Sequence, residues 1–211
     1  MLIAGYGDSI TAGVHMNRGE GYIEQLASLL GGTSVNAGVS GQTTEDAWPR
    51  LERDVLSQKP DICVVQFGMN DHVAVARGQS RVALSLFRDN LIRIVTELKK
   101  RQIRSLLCTI HPIIEGNDEA YYYARHPREW YAPSGAGSWI ERYSEAIRQA
   151  AAECGCALAD VERHWMEQLG RGVLPGELLR TKENSGDDDG VHPTPLGHRL
   201  YAECMASQLI D

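Results

Sequence analysis

Apolar residues follow two rhythms along this chain. Four nearly continuous runs, "MLIAGY" at 1–6, "SVNAG" at 34–38, "DICVVQFG" at 61–68 and "RSLLCTI" at 104–110, have the pattern of strands covered on both faces, and "CALADV" at 156–161 is a shorter fifth. Between them the apolar positions recur at helical spacing. "EGYIEQLASLLG" ends at Gly31 and Gly32, a C-terminal stop. Residues 83–101 place Leu84, Phe87, Leu91, Ile94, Val95 and Leu98 close to one face, and residues 138–154 do the same with Ile140, Tyr143, Ile147 and Ala151. Strands that alternate with helices predict an open, parallel sheet, and right-handed crossovers put helices on both sides. The predicted fold is a single three-layer α/β/α sandwich domain spanning 1–211.

One segment breaks the pattern. Residues 115–137 lie between a predicted strand and a predicted helix and carry Tyr121, Tyr122, Tyr123, Trp130 and Tyr131. This is too long for an ordinary connection, so it is functional or has structure of its own. Tyr123 and Trp130 are taken as substrate-contacting candidates, because aromatic walls suit ligand pockets.

Composition narrows the function classes. A net charge of −7 argues against a broad hold on nucleic acid or an anionic membrane. No apolar stretch is long enough to cross a bilayer, and no signal peptide is visible at the N-terminus, so a cytoplasmic protein without membrane insertion is expected. The five cysteines are scattered, and "CGC" at 154–156 has the wrong spacing for a redox or zinc motif.

In open α/β sheets, ligands gather at the carboxyl ends of the strands. Four polar or glycine-rich pieces should converge there: "GDSITAG" after the first run, "NAGVSGQTT" after the second, "FGMNDH" after the third, and "DGVHP" before the last helix. The first raises two alternatives, a phosphate cradle or a nucleophile loop. A dinucleotide fingerprint needs glycine where Ile10 stands, and no Gly-Lys-Ser/Thr follows, so no nucleotide cofactor is expected. A serine nucleophile needs a base, a group to orient that base, and donors for an oxyanion. Ser9 supplies the nucleophile, His192 the base and Asp189 the orienting group, and the Ser9 N–H, Gly41 N–H and Asn70 amide supply donors. No histidine pair has metalloprotease spacing, so no metal is expected. His72 and His111 follow predicted strands and join the substrate-contacting candidates.

These blocks, in this order, resemble the SGNH hydrolases, also called GDSL esterases and lipases: "GDSIT" with Ser9, "NAGVSGQTT" with Gly41, "GMND" with Asn70 and "DGVHP" with Asp189 and His192. The resemblance implies a flavodoxin-like five-stranded parallel sheet. It also implies a Ser9–His192–Asp189 triad and an oxyanion hole of Ser9, Gly41 and Asn70. The activity expected from it is hydrolysis of a small-molecule carboxylic ester, with acetyl-type esters leading. Lysophospholipid or thioester hydrolysis, or acyl transfer by the same triad, are alternatives. A catalytically silent carbohydrate-binding protein is the alternative from another class. Because His192 must be neutral to act as a base, activity should fall as acid protonates it.

Overall fold

The computed structural model describes residues 1–210. Among the described residues seven strands run in chain order: β1 Leu2–Gly7, β2 Thr33–Gly38, β3 Ile62–Gln66, β4 Ala74–Ala76, β5 Gln79–Ser80, β6 Arg104–Cys108 and β7 Ala157–Ala159. Five of them form one all-parallel sheet in the order β2-β1-β3-β6-β7, which is the five-stranded α/β/α sandwich expected. β3 sits at its centre with all five residues buried, which is why its sequence is apolar without alternation. β4 and β5 pair as a separate antiparallel hairpin, too short to be read from the sequence.

Two helix groups cover the sheet. Leu84–Lys100 packs on Gly135–Cys154, and Pro195–Ala206 packs on Tyr22–Leu29 and Val161–Gly170. The first buries Phe87, Leu91, Ile94, Val95 and Leu98, all on the predicted stripe. Val161–Gly170 is an addition, capped by Asp160, whose side chain accepts from the Arg163 N–H. No helix among the described residues is long and apolar enough to cross a membrane.

The 115–137 excursion has its own small core. Tyr122, Tyr123 and Tyr131 are buried with Ala74, Ala136 and Trp139, and a 3-10 turn spans Arg128–Tyr131. Its aromatic load therefore pays mainly for anchoring a long connection against the β4–β5 hairpin.

Candidate active site

β1 runs out at Gly7 into Asp8 and a one-turn helix, Ser9–Ala12. Asp8 caps that turn: its Oδ1 accepts from the Ile10 N–H at 2.9 Å. The turn lies so close to the neighbouring strands that a side chain at Gly7 would meet Thr11 Oγ1 at 2.0 Å and the Gln66 carbonyl at 2.4 Å. Glycine is needed there for close approach, not for turn chemistry. Beneath the turn the buried Arg50 guanidinium donates to the carbonyls of Gly7 at 2.9 Å and Ala37 at 2.7 Å, tying the ends of β1 and β2 together.

The other half of the arrangement comes from 183 residues away along the chain. Asp189 Oδ1 accepts from the Val191 and His192 N–H groups at 3.0 and 3.1 Å, folding the "DGVH" run into a tight loop. Thr194 caps the next helix, with Pro195 at its first position. Asp189 Oδ2 lies 2.8 Å from His192 Nδ1, and His192 Nε2 lies 3.0 Å from Ser9 Oγ. A carboxylate can only accept, so Nδ1 carries the proton and Nε2 faces the Ser9 hydroxyl with a lone pair. Burial raises the Asp189 carboxyl, but the bonds it accepts from His192 and Val191 outweigh this and bring it down to about 2. It is ionised throughout the physiological range.

Asn70 Nδ2 donates to the Gln42 carbonyl at 3.1 Å and, at a longer 3.4 Å, to Asp8 Oδ2. The second bond holds its proton loosely. Gly41 is exposed in the loop before the capped turn Thr44–Ala47, at φ 77°, and its N–H has no protein acceptor among the described residues. Asp71, next to Asn70, accepts from Thr44 and from the Gly68 N–H, and so braces the strand end. Burial pushes the carboxyl of Asp8 up to about 7 and that of Asp71 to about 6.

Ser9, Asn70 and His192 open onto a cleft of about 490 Å³ that His15, Arg81 and His126 also line. The four expected substrate contacts are corrected by their positions, since none lines this cleft. His72 is fully buried; its Nδ1–H donates to the Gly68 carbonyl at 3.1 Å, and its Nε2 accepts from Tyr122 at 3.0 Å. His111 is buried too: Nε2–H donates to the Val191 carbonyl at 2.7 Å and Nδ1 accepts from the Tyr201 hydroxyl at 2.6 Å. It steadies the His192 loop from below. Burial holds both rings uncharged, lowering them to about 4 and about 3. Tyr123 turns to a separate recess beside Glu115 and Arg128, and Trp130 packs on the small aromatic core.

The cleft's aromatic lining is instead Tyr122, stacked on His126 with ring centroids 4.2 Å apart. Arg125, from the same excursion, donates to the Asp188 and Asp189 carbonyls and so grips the Asp189 loop. His15, in the left-handed region at φ 72°, sets its ring edge-on to His192 at 5.4 Å. His15, Asp189 and His192 are the one group of three possible metal ligands among the described residues, with donor atoms within 4.8 Å of one another. Arg180 Nε lies 3.8 Å from Asp189 Oδ2 and sets a positive charge against any cation there.

Comparison with known proteins bears on this geometry. An uncharacterized lipoprotein, YqeF, of Bacillus subtilis (strain 168) is 33% identical over 95% of this chain and 86% of its own length. That relative overturns the expectation of a cytoplasmic protein, because its name points to a membrane-anchored setting. An acetylxylan esterase of Geobacillus stearothermophilus is 25% identical over 90% of this chain and 81% of its own. Among solved structures, the acetyl xylan esterase AlAXEase matches with a TM-score of 0.73 at 27% identity, covering 100% of both chains. The model of the GDSL-like lipase/acylhydrolase family matches residues 6–200, a span that holds Ser9, Gly41, Asn70, Asp189 and His192. The chain belongs to that GDSL-like lipase/acylhydrolase family, and it is a carboxylic ester hydrolase.

Proposed function

We propose that the chain is a serine esterase for small acyl esters, acetyl groups on a sugar carrier foremost, working through an acyl-Ser9 intermediate. The observation that carries this is the continuous chain from Ser9 Oγ to His192 and on to Asp189, at 3.0 and 2.8 Å. His192 Nε2 takes the Ser9 proton as Oγ bonds to the ester carbonyl carbon. The carbonyl oxygen collects donors from the Ser9 N–H, which the start of a helix leaves without a partner, from the Gly41 N–H and from Asn70. The proton on Nε2 passes to the departing alkoxide as the ester C–O bond breaks. Water then gives a proton to Nε2 as its oxygen bonds to the acyl carbon; the C–Oγ bond breaks, Nε2 returns the proton to Ser9 Oγ, and the acyl group leaves as the acid. Asp189, ionised and fixed by two backbone N–H groups, keeps the ring in the tautomer this needs. The acetyl assignment is supported by two relatives that are named acetylxylan esterases.

The test is turnover of p-nitrophenyl esters from acetate to decanoate. Activity should be highest on acetate, and Ser9→Ala should remove it by a factor on the order of 10⁴ to 10⁶. A maximum at decanoate would overturn the small-acyl assignment. Turnover that survives Ser9→Ala would overturn the nucleophile itself.

A further inference from the structure

Arginines near the cleft differ in what they are committed to. Arg180 is paired with Asp187 at 2.8 Å and faces Asp189. Arg125 is spent on two carbonyls. Arg81, which leaves the β4–β5 hairpin and is fixed through its own N–H to the Val73 carbonyl at 2.8 Å, has no carboxylate partner and no side-chain hydrogen bond among the described residues. It lines the cleft of Ser9 and also a second groove of about 630 Å³ that continues past Glu45, Pro133 and Arg142. Arg142 likewise has no ion-pair partner there. Arg81 therefore stands at the junction of two recesses, one of which holds the reacting serine.

The lining beside it offers a partly exposed imidazole, His126, backed by the buried Tyr122. Tyr122 is locked in place, its hydroxyl donating to His72 Nε2 and accepting from Tyr131. His126 stacks on it, and burial, with the charges of Arg125 and Arg81, brings that imidazole down to about 4. An uncharged stacked ring with a guanidinium next to it can bind a hydroxylated carrier and an acid group together. Asp188 adjoins the triad loop in the same lining and repels an anion at the reacting end. The acid group thus belongs beside Arg81 and Arg142, whose two positive charges outnumber the one negative charge of Glu45 in that groove.

We infer that the carrier of the ester is an acidic oligosaccharide, with a carboxylate near the acylated sugar that Arg81 receives as the substrate's anchor. This rests on the esterase proposal for the site, and it sets the carrier's chemistry where that proposal leaves it open. A guanidinium meets a carboxylate as a two-pronged donor, so lysine should replace it only in part.

Binding keeps the test separate from turnover. In the Ser9→Ala protein, calorimetry would compare an acetylated xylo-oligosaccharide with the same oligosaccharide carrying a uronic acid substituent. The uronate form should bind about fivefold tighter, as a solvent-exposed charge pair allows. Adding Arg81→Gln should bring that ratio to near one, Arg81→Lys should leave part of it, and about 0.5 M salt should shrink it. Equal affinity for the two oligosaccharides, binding of neither, or a ratio that persists in Arg81→Gln would overturn the inference. A uronate preference without Ser9-dependent turnover in the wild type would instead count against the esterase proposal alone.

Discussion

The cleft is made of two parts that are held by different means. The reacting part is backbone work: strand ends of the sheet, one-turn caps at Asp8 and Thr43, and the tight Asp189 loop place each group within a few residues of a fixed element. The lining part is side-chain work, in which a long excursion is pinned by buried phenols and by Arg125 reaching across to the Asp189 loop. The contrast teaches that the chemistry is set by local sequence on a rigid sheet, while the fit to a carrier depends on distant contacts that vary more freely.

That contrast can be broken at its strongest point first. Asp189→Ala should lower kcat by roughly 10³- to 10⁴-fold with the fold retained, because the imidazole loses its tautomer and its anchor. Undiminished kcat in a folded protein would remove Asp189 from the account. On the other part, Tyr122→Phe takes away the hydroxyl that links His72 and Tyr131. It should cost about 1 kcal/mol of stability, seen in denaturant unfolding, and change acetate turnover less than about threefold. A loss as large as that of Asp189→Ala would show that the lining is part of the chemistry.

How legible each part was follows the same division. Ser9, Asn70, Asp189 and His192 lie in short runs whose caps and turns are local, so the four pieces could be read directly and do converge. Arg50 and Arg125 could not be read, since their acceptors are carbonyls brought near only by folding. His72 and His111 were placed after the correct strands, yet position after a strand does not tell which way a side chain turns. Both point inward, where burial and two partners hold them neutral. In the excursion, Tyr123 and Trp130 lie away from the cleft, while Tyr122, from the same small aromatic core, and His126 line it. The helix Val161–Gly170 escaped notice because its pattern follows directly on a three-residue strand.

The smallest expected effect sharpens the reacting part. Burial raises the Asp8 carboxyl from its ordinary value of 3.8 to about 7, so the folded protein keeps that proton where the unfolded chain has lost it. Stability attributable to Asp8 therefore falls as pH rises from about 4 to about 7. Asn caps a helix as well as Asp does, and it cannot ionise. The melting temperature of Asp8→Asn relative to wild type should rise between pH 5 and pH 8, whereas a constant difference would mean that Asp8 is already charged at pH 5.

The central claim, that Ser9 is made nucleophilic by His192, is tested most directly by a serine-reactive phosphonate followed by mass mapping of the modified peptide. The account predicts a single adduct on Ser9 in the wild type and almost none in the His192→Ala protein. Labelling of another residue, or Ser9 labelling that is equally fast without His192, would contradict it.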